Sequence, residues 1–243
     1  DLTVDRVDEL IDAAKGALRI IALAPEVKNA TEVIQHISVR GVKVMLGHTN
    51  ATYDETVNAL SAGASGGVHV FNGMRGIHHR EPGCTGAVLM ENACVEVIAD
   101  GVHIHPAILK MICKLKAVDD VNLISDCINA GGMPDGLYEL GKLQVDVANG
   151  IARTKSGSLA GSTLTLEKAI QNMVSLADVD FRDAVHMASL SPAKFLGLDF
   201  KKGSIIGGKD ADLCVMGASG AVEMTIKAGE IIYHKNKNIR KRR

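Results

Sequence analysis

At 243 residues, 47% of them hydrophobic, the chain is long enough to bury one large core, with or without a small appendage. Its 27 Lys and Arg against 28 Asp and Glu argue against a nucleic-acid surface, and no run of eighteen apolar residues is present to span a membrane. Five cysteines (Cys84, Cys94, Cys113, Cys127, Cys214) form an odd set without a CxxC pair, mostly inside apolar runs; they read as reduced core thiols of a cytoplasmic protein.

Residues 4 to 15 carry apolar side chains at helical spacing, and LRIIALAPE then predicts a short buried strand ending near Pro25 and Glu26. The pattern repeats with a helix over 30 to 40, a stop at Gly41 and the strand VKVMLG. Thr52 and Glu55 form a capping box that opens a helix to Ala62, because hydroxyl and carboxylate each satisfy an orphan backbone donor. VHVF is expected as the next strand, followed by the loop RGIHHREPGCTG, an apolar segment ending in CVEVIADGVH, a helix from about Pro106 to Ala117 and the strand VNLISD. Strand ends therefore fall near Glu26, His48, His69, Asp100 and Asp126. Their spacing is that of a βα barrel or a doubly wound sheet, in which chemistry collects at the carboxyl ends of the strands. After Asp126 the rhythm changes to a β excursion over GGMPDGLYELGKLQVDVANGIARTK, a helix ending near Ala177, and a second helix interrupted near Pro192. The final stretch, from Lys202, predicts a small β appendage, and the basic tail KNKNIRKRR is given no role.

Two strand-end histidines, His48 and His69, with a strand-end aspartate, Asp126, suit a metal such as zinc: imidazoles ligate it and a carboxylate moves the proton of a bound water. Glu26 ends the preceding strand, so spacing leaves it open between a third ligand and an acid that caps a helix or binds a loop amide. Arg80 and His103 come from glycine-containing loops on the same side and suit a phosphate or carboxylate group. His36, His186 and His234 lie on helices or in the appendage and read as structural.

The stretches LAPE, GHTNATYDE, HVFNGM, REPGCTGA, ADGVHIHP, ISDCINAGG, SGSLAGSTLTL, MASLSPAKFLGL and KGSIIGGKDADLCV span nearly the whole chain. In that order the chain resembles the N-acetylglucosamine-6-phosphate deacetylases of the amidohydrolase superfamily. The resemblance implies an α/β fold: a partial (β/α)8 TIM barrel of about strands four to eight over residues 1–200, with a small C-terminal β-sandwich segment over 201–243. It implies His48 and His69 as ligands of a divalent metal, zinc foremost and iron, manganese or cobalt as alternatives, with Asp126 as catalytic base and then acid. It further implies that Asn72, Gly73, Arg80, His103 and the backbone around Leu159 bind a phosphorylated N-acetyl amino sugar. The protein would act as a homodimer in which Arg80 reaches the neighbouring subunit's pocket. The acidic metal ligand of that family lies in an HLEGP-type motif upstream of LAPE, which this sequence does not contain, so the resemblance counts against Glu26 as a ligand. The chain begins at Asp1 without methionine, as expected of a truncated product, and on its own is expected to turn over weakly or not at all. Other N-acyl sugars or cyclic amides as substrates, or a non-catalytic fragment that pairs with another chain, are the alternatives.

Overall fold

The computed structural model describes residues 2–236; most of the basic C-terminal tail lies outside the described residues. Two compact units divide the chain. One runs to Val97 and takes in Met111–Asn122; the other holds Ile98–Lys110 and continues from Leu123.

In the first unit, helix α1 (Val4–Ala13) is capped by Thr3, whose hydroxyl accepts from the Arg6 backbone, and strand β1 (Ile20–Leu23) follows. Helix α2 (Ala30–Val39) buries Val33, Ile34 and Ile37, and strand β2 (Lys43–Leu46) buries Val44, Met45 and Leu46 in succession. An unbroken buried run is what a parallel strand covered on both faces requires. His36 Nε2 donates to Asp8 Oδ1 at 2.8 Å, so it is structural, as read from the sequence. Helix α3 (Tyr53–Ser61) opens on the expected capping box, with Thr52 accepting from Glu55 N and Glu55 accepting from Thr52 N. Strand β3 (Gly66–Gly67), helix α4 (Gly83–Met90), strand β4 (Cys94–Ile98), helix α5 (Pro106–Leu115) and strand β5 (Val121–Ile124) complete the alternation. The sheet has the order β1-β2-β3-β4-β5, and β1 to β4 pair in parallel.

Two local expectations are corrected. VHVF is not a strand: pairing is confined to Gly66 and Gly67, and the chain turns at His69 and Phe71, whose positive φ angles (31° and 76°) end the pleat. Gly66 must be glycine, because a Cβ there would stand 1.9 Å from the Cys94 carbonyl oxygen across the strand pair. The helix near Pro192 is not interrupted either. Helix α7 (Phe181–Phe195) runs through it, since a proline in the last turn removes a single backbone bond.

In the second unit, β6 (Gly136–Leu140), β7 (Leu143–Ala148) and β8 (Ile151–Thr154) form an antiparallel meander over a small core of Ala130, Val145, Val147, Ala152 and Ala160. This is the expected β excursion. Helix α6 (Leu166–Ala177), capped by Thr165, is tied by the Asn172 amide to the Ala99 carbonyl at 2.8 Å. Strands β9 (Leu213–Met216), β10 (Val222–Lys227) and β11 (Glu230–His234) form a second antiparallel sheet in the order β11-β10-β9. Among the described residues, no helix is long and apolar enough to cross a membrane.

Candidate metal and substrate site

His48 and His69 each follow a strand by two residues, β2 ending at Leu46 and β3 at Gly67. Parallel pairing of those strands brings the two imidazoles together: the rings meet edge to face, with centroids 4.8 Å apart and an 86° interplanar angle, and Nε2 stands 3.0 Å from Nε2. His69 Nδ1 lies 3.1 Å from the Asn72 carbonyl oxygen. A carbonyl only accepts, so Nδ1 carries the proton and the Nε2 lone pair points at His48. Such a carbonyl partner is the usual means of fixing a ligating imidazole. Two tetrahedral zinc ligands with bonds of 2.0–2.1 Å stand about 3.3 Å apart, so opening this pair by about 0.3 Å would admit the ion. The donor set therefore fits a divalent metal at two positions.

The backbone here is held by force. His48 has φ 48° and His69 φ 31°, a left-handed region that costs about 1–2 kcal/mol per non-glycine residue. Thr49 N donates to the Gly73 carbonyl (2.8 Å) and Arg75 N to the Thr49 carbonyl (3.1 Å), closing the two loops on each other. Gly73 has φ 57°, and a Cβ on it would meet His48 Nδ1 at 3.1 Å. Both carboxylate oxygens of Glu26 are taken by the next loop: its Oε2 accepts from the Thr49 hydroxyl and its Oε1 from Asn50 N at 2.8 Å. Of the roles spacing left open, it holds the loop amide. Among the described residues, no group of three or more His, Cys, Asp or Glu is arranged to hold a metal.

Arg80 sits on the exposed loop between Met74 and α4, with a guanidinium nitrogen 2.8 Å from His79 Nε2. Its neighbour Glu81 accepts from Tyr53 N (2.8 Å) and Gly83 N (3.0 Å), tying that loop to the start of α3. These two backbone donors, Tyr53 first, hold the Glu81 carboxyl below the usual carboxylate range.

In the second unit, Asp126 follows β5 with φ 48° and an exposed side chain. Ser162 N donates to its carbonyl at 2.8 Å, and Ile128 N returns a bond to the Ser162 carbonyl at 2.9 Å. A Cβ on Gly161 (φ 62°) would stand 2.6 Å from Ile128 Cγ2 and 2.9 Å from the Asp126 carbonyl, so only glycine fits beneath Asp126. Leu159 bridges Arg153 at the edge of the meander. His103 is nearly enclosed, its side chain 5% exposed, and its Nδ1 lies 2.6 Å from Asp100 Oδ2. Burial pushes the Asp100 carboxyl up, but the hydrogen bonds from the His103 ring and from the backbone of His103 and Val102 outweigh it, and the net shift is downward.

Of the residues singled out from the sequence, His48, His69, Asn72 and Gly73 thus share one turn cluster, and Arg80 stands on the next loop. Asp126, His103 and Leu159 belong to the second unit. Sequence reasoning missed Asp100 as the partner of His103 and Gly161 as the support of Asp126. The signal for the first was present, an aspartate three residues before a histidine across a glycine.

The amidohydrolase family profile matches residues 4–232. An N-acetylgalactosamine-6-phosphate deacetylase of Escherichia coli O157:H7 is 44% identical over 232 residues, 95% of this chain and 61% of that protein. An N-acetylglucosamine-6-phosphate deacetylase of Vibrio furnissii is 41% identical over 234 residues, 96% of this chain and 58% of that protein. A solved structure of the Mycobacterium smegmatis N-acetyl-D-glucosamine-6-phosphate deacetylase, a D267A mutant in complex with N-acetyl-D-glucosamine-6-phosphate, superposes with a TM-score of 0.91 at 38% identity. That match covers 95% of this chain and 62% of the other. The chain spans about three fifths of the length of these relatives.

Proposed function

The chain belongs to the amidohydrolase family, and from that premise we propose that it carries the larger part of a metal-dependent deacetylase. The reaction is hydrolysis of the N-acetyl group of N-acetylglucosamine 6-phosphate to glucosamine 6-phosphate and acetate, in amino-sugar catabolism. The observation that carries this reading is the convergence of His48 Nε2 and His69 Nε2 at 3.0 Å, with His69 Nδ1 tied to a carbonyl. In this reading the two histidines hold a divalent ion, zinc foremost, with iron, manganese and cobalt as alternatives. Bound there, the metal supplies Lewis-acid polarisation of the amide carbonyl and acidifies the attacking water.

The chain's own residues do the rest. Asp126 takes the proton of the attacking water through its carboxylate and returns it to the departing nitrogen as the carbon–nitrogen bond breaks. Asn72, Gly73, Arg80, His103 and the Leu159 backbone bind the phosphosugar, with the Arg80 guanidinium matched to a phosphate. The parallel sheet is read as about strands four to eight of a (β/α)8 barrel over residues 1–200, and residues 201–243 as a segment of a small β-sandwich. A cytoplasmic homodimer completes the proposal. The 44% identity to the galactosamine enzyme favours a second reading, the 4-epimer of the sugar, over more distant N-acyl substrates.

The test is zinc content together with acetate release from both phosphosugars. With two imidazoles and no third ligand among the described residues, the chain alone should bind zinc weakly and turn over slowly. Release of acetate from neither phosphosugar by the full-length protein loaded with zinc would refute the reading.

A further inference from the structure

The loop after β4 folds around one carboxylate. Asp100 Oδ1 accepts from Val102 N and His103 N, each at 2.8 Å, while Oδ2 is left for His103 Nδ1 at 2.6 Å. Gly101, at φ 76°, supplies the turn between them. Because an ionised carboxylate only accepts, His103 Nδ1 must carry a proton. The other ring nitrogen, Nε2, has no hydrogen-bond partner among the described residues. The ring lines a cavity of about 320 Å³ shared with Gly161, Thr163, Lys168 and Asn172. Nε2 is not sealed away without a partner, so a donor small enough to enter the cavity, such as a hydroxyl, can meet it there.

We infer that Asp100 is a positioning residue: it fixes His103 in the Nδ1-protonated neutral form, so that Nε2 serves in this cavity as the acceptor for a hydroxyl of the amino sugar. The identity of the ligand rests on the deacetylase reading; the assignment of the proton does not.

The geometry dictates what Asp100→Asn would do. The two backbone donors hold the amide oxygen at the Oδ1 position, so the amide NH2 takes the place of Oδ2 and faces His103 Nδ1. That nitrogen must then accept, the ring proton moves to Nε2, and the acceptor in the cavity becomes a donor at almost unchanged volume.

The experiment uses the chain with ¹⁵N-labelled histidine at pH 8, the His103 signals being identified by their loss in His103→Gln. The wild type should show a protonated Nδ1 and an unprotonated Nε2, and Asp100→Asn should show the reverse. Calorimetric titration of zinc-loaded protein with N-acetylglucosamine 6-phosphate should give a Kd at least about tenfold weaker for Asp100→Asn. A wild-type ring protonated on Nε2, a tautomer unchanged in the variant, or a reversed tautomer with unchanged sugar affinity would each overturn the inference. The wild-type spectrum needs no variant to fold. If the wild type binds no phosphosugar, the assignment of the ligand falls, the deacetylase reading is decided separately by acetate release from the full-length protein, and the spectra still decide the role of Asp100.

Discussion

Replacing Gly73 with alanine separates the demands of the backbone from those of the metal ligands. Gly73 lies at φ 57°, where an L side chain costs about 1–2 kcal/mol. The new Cβ would also stand 3.1 Å from His48 Nδ1, against 3.4 Å for the start of ordinary contact, so the ring must retreat by about 0.3 Å. Metal ligands tolerate errors of about 0.2 Å in their bonds, and displacing a supporting group typically lowers affinity by about 10- to 100-fold. Gly73→Ala should therefore lower the urea midpoint by an amount equivalent to about 1–2 kcal/mol and weaken zinc binding about tenfold or more, read by competition with a chromophoric chelator. Gly76→Ala, on the same loop, is the control. It has open space around it and an ordinary φ, so both quantities should stay within about 0.5 kcal/mol of wild type. Zinc affinity in Gly73→Ala equal to that of Gly76→Ala would sink the account of how His48 is held.

Glu26→Gln keeps an oxygen for Asn50 N but offers Thr49 a poorer partner, so a destabilisation of about 1 kcal/mol is expected with the coordination shell unchanged by X-ray absorption; loss of an oxygen ligand would make Glu26 a ligand after all. Lys116 is 8% exposed and donates to the Val88 (3.1 Å) and Glu91 (2.8 Å) carbonyls at the end of α4. Lys116→Ala should cost about 2–4 kcal/mol in denaturant unfolding, and a change under 0.5 kcal/mol would mean that removing a buried charge offsets both bonds. Asp100 ionises below its ordinary value of 3.8 in the folded state, so its contribution is complete above that pH and is lost as pH falls through the lowered value. As pH falls below 3.8 the wild type should lose stability more steeply than Asp100→Asn, and parallel acid profiles would contradict this.

The residues that made the fold legible were those whose side chains decide their own surroundings. Val44, Met45 and Leu46 announce a strand buried on both faces, and Thr52 with Glu55 announces a helix start, because each pattern is local. β3 was misread for the opposite reason. Its two glycines carry no side-chain signal, and the neighbouring VHVF alternates like a strand although it lies in the turn. His48 and His69 could be paired from sequence because parallel strands put equivalent positions side by side. The partner of Glu26 could not, since a carboxylate at a strand end meets whatever the next loop offers, and here that was Thr49 and Asn50. Gly161 was invisible for a similar reason, its necessity being set by the Asp126 carbonyl that lies above it.

The glycine pair of β3 also has a bearing on motion. Gly66 and Gly67 each pair with one residue of β2 and one of β4, and neither contributes a side chain to anchor the strand between them. Segments held by few bonds and little apolar contact open first, far below the free energy of global unfolding. Amide exchange in this sheet should accordingly begin at β3, and His69, two residues beyond it, would swing with each opening while His48 stays with β2, which is buried from Val44 to Leu46. The distance between the two imidazoles is then set by the breathing of one short strand, and a ligand bridging them would slow that breathing.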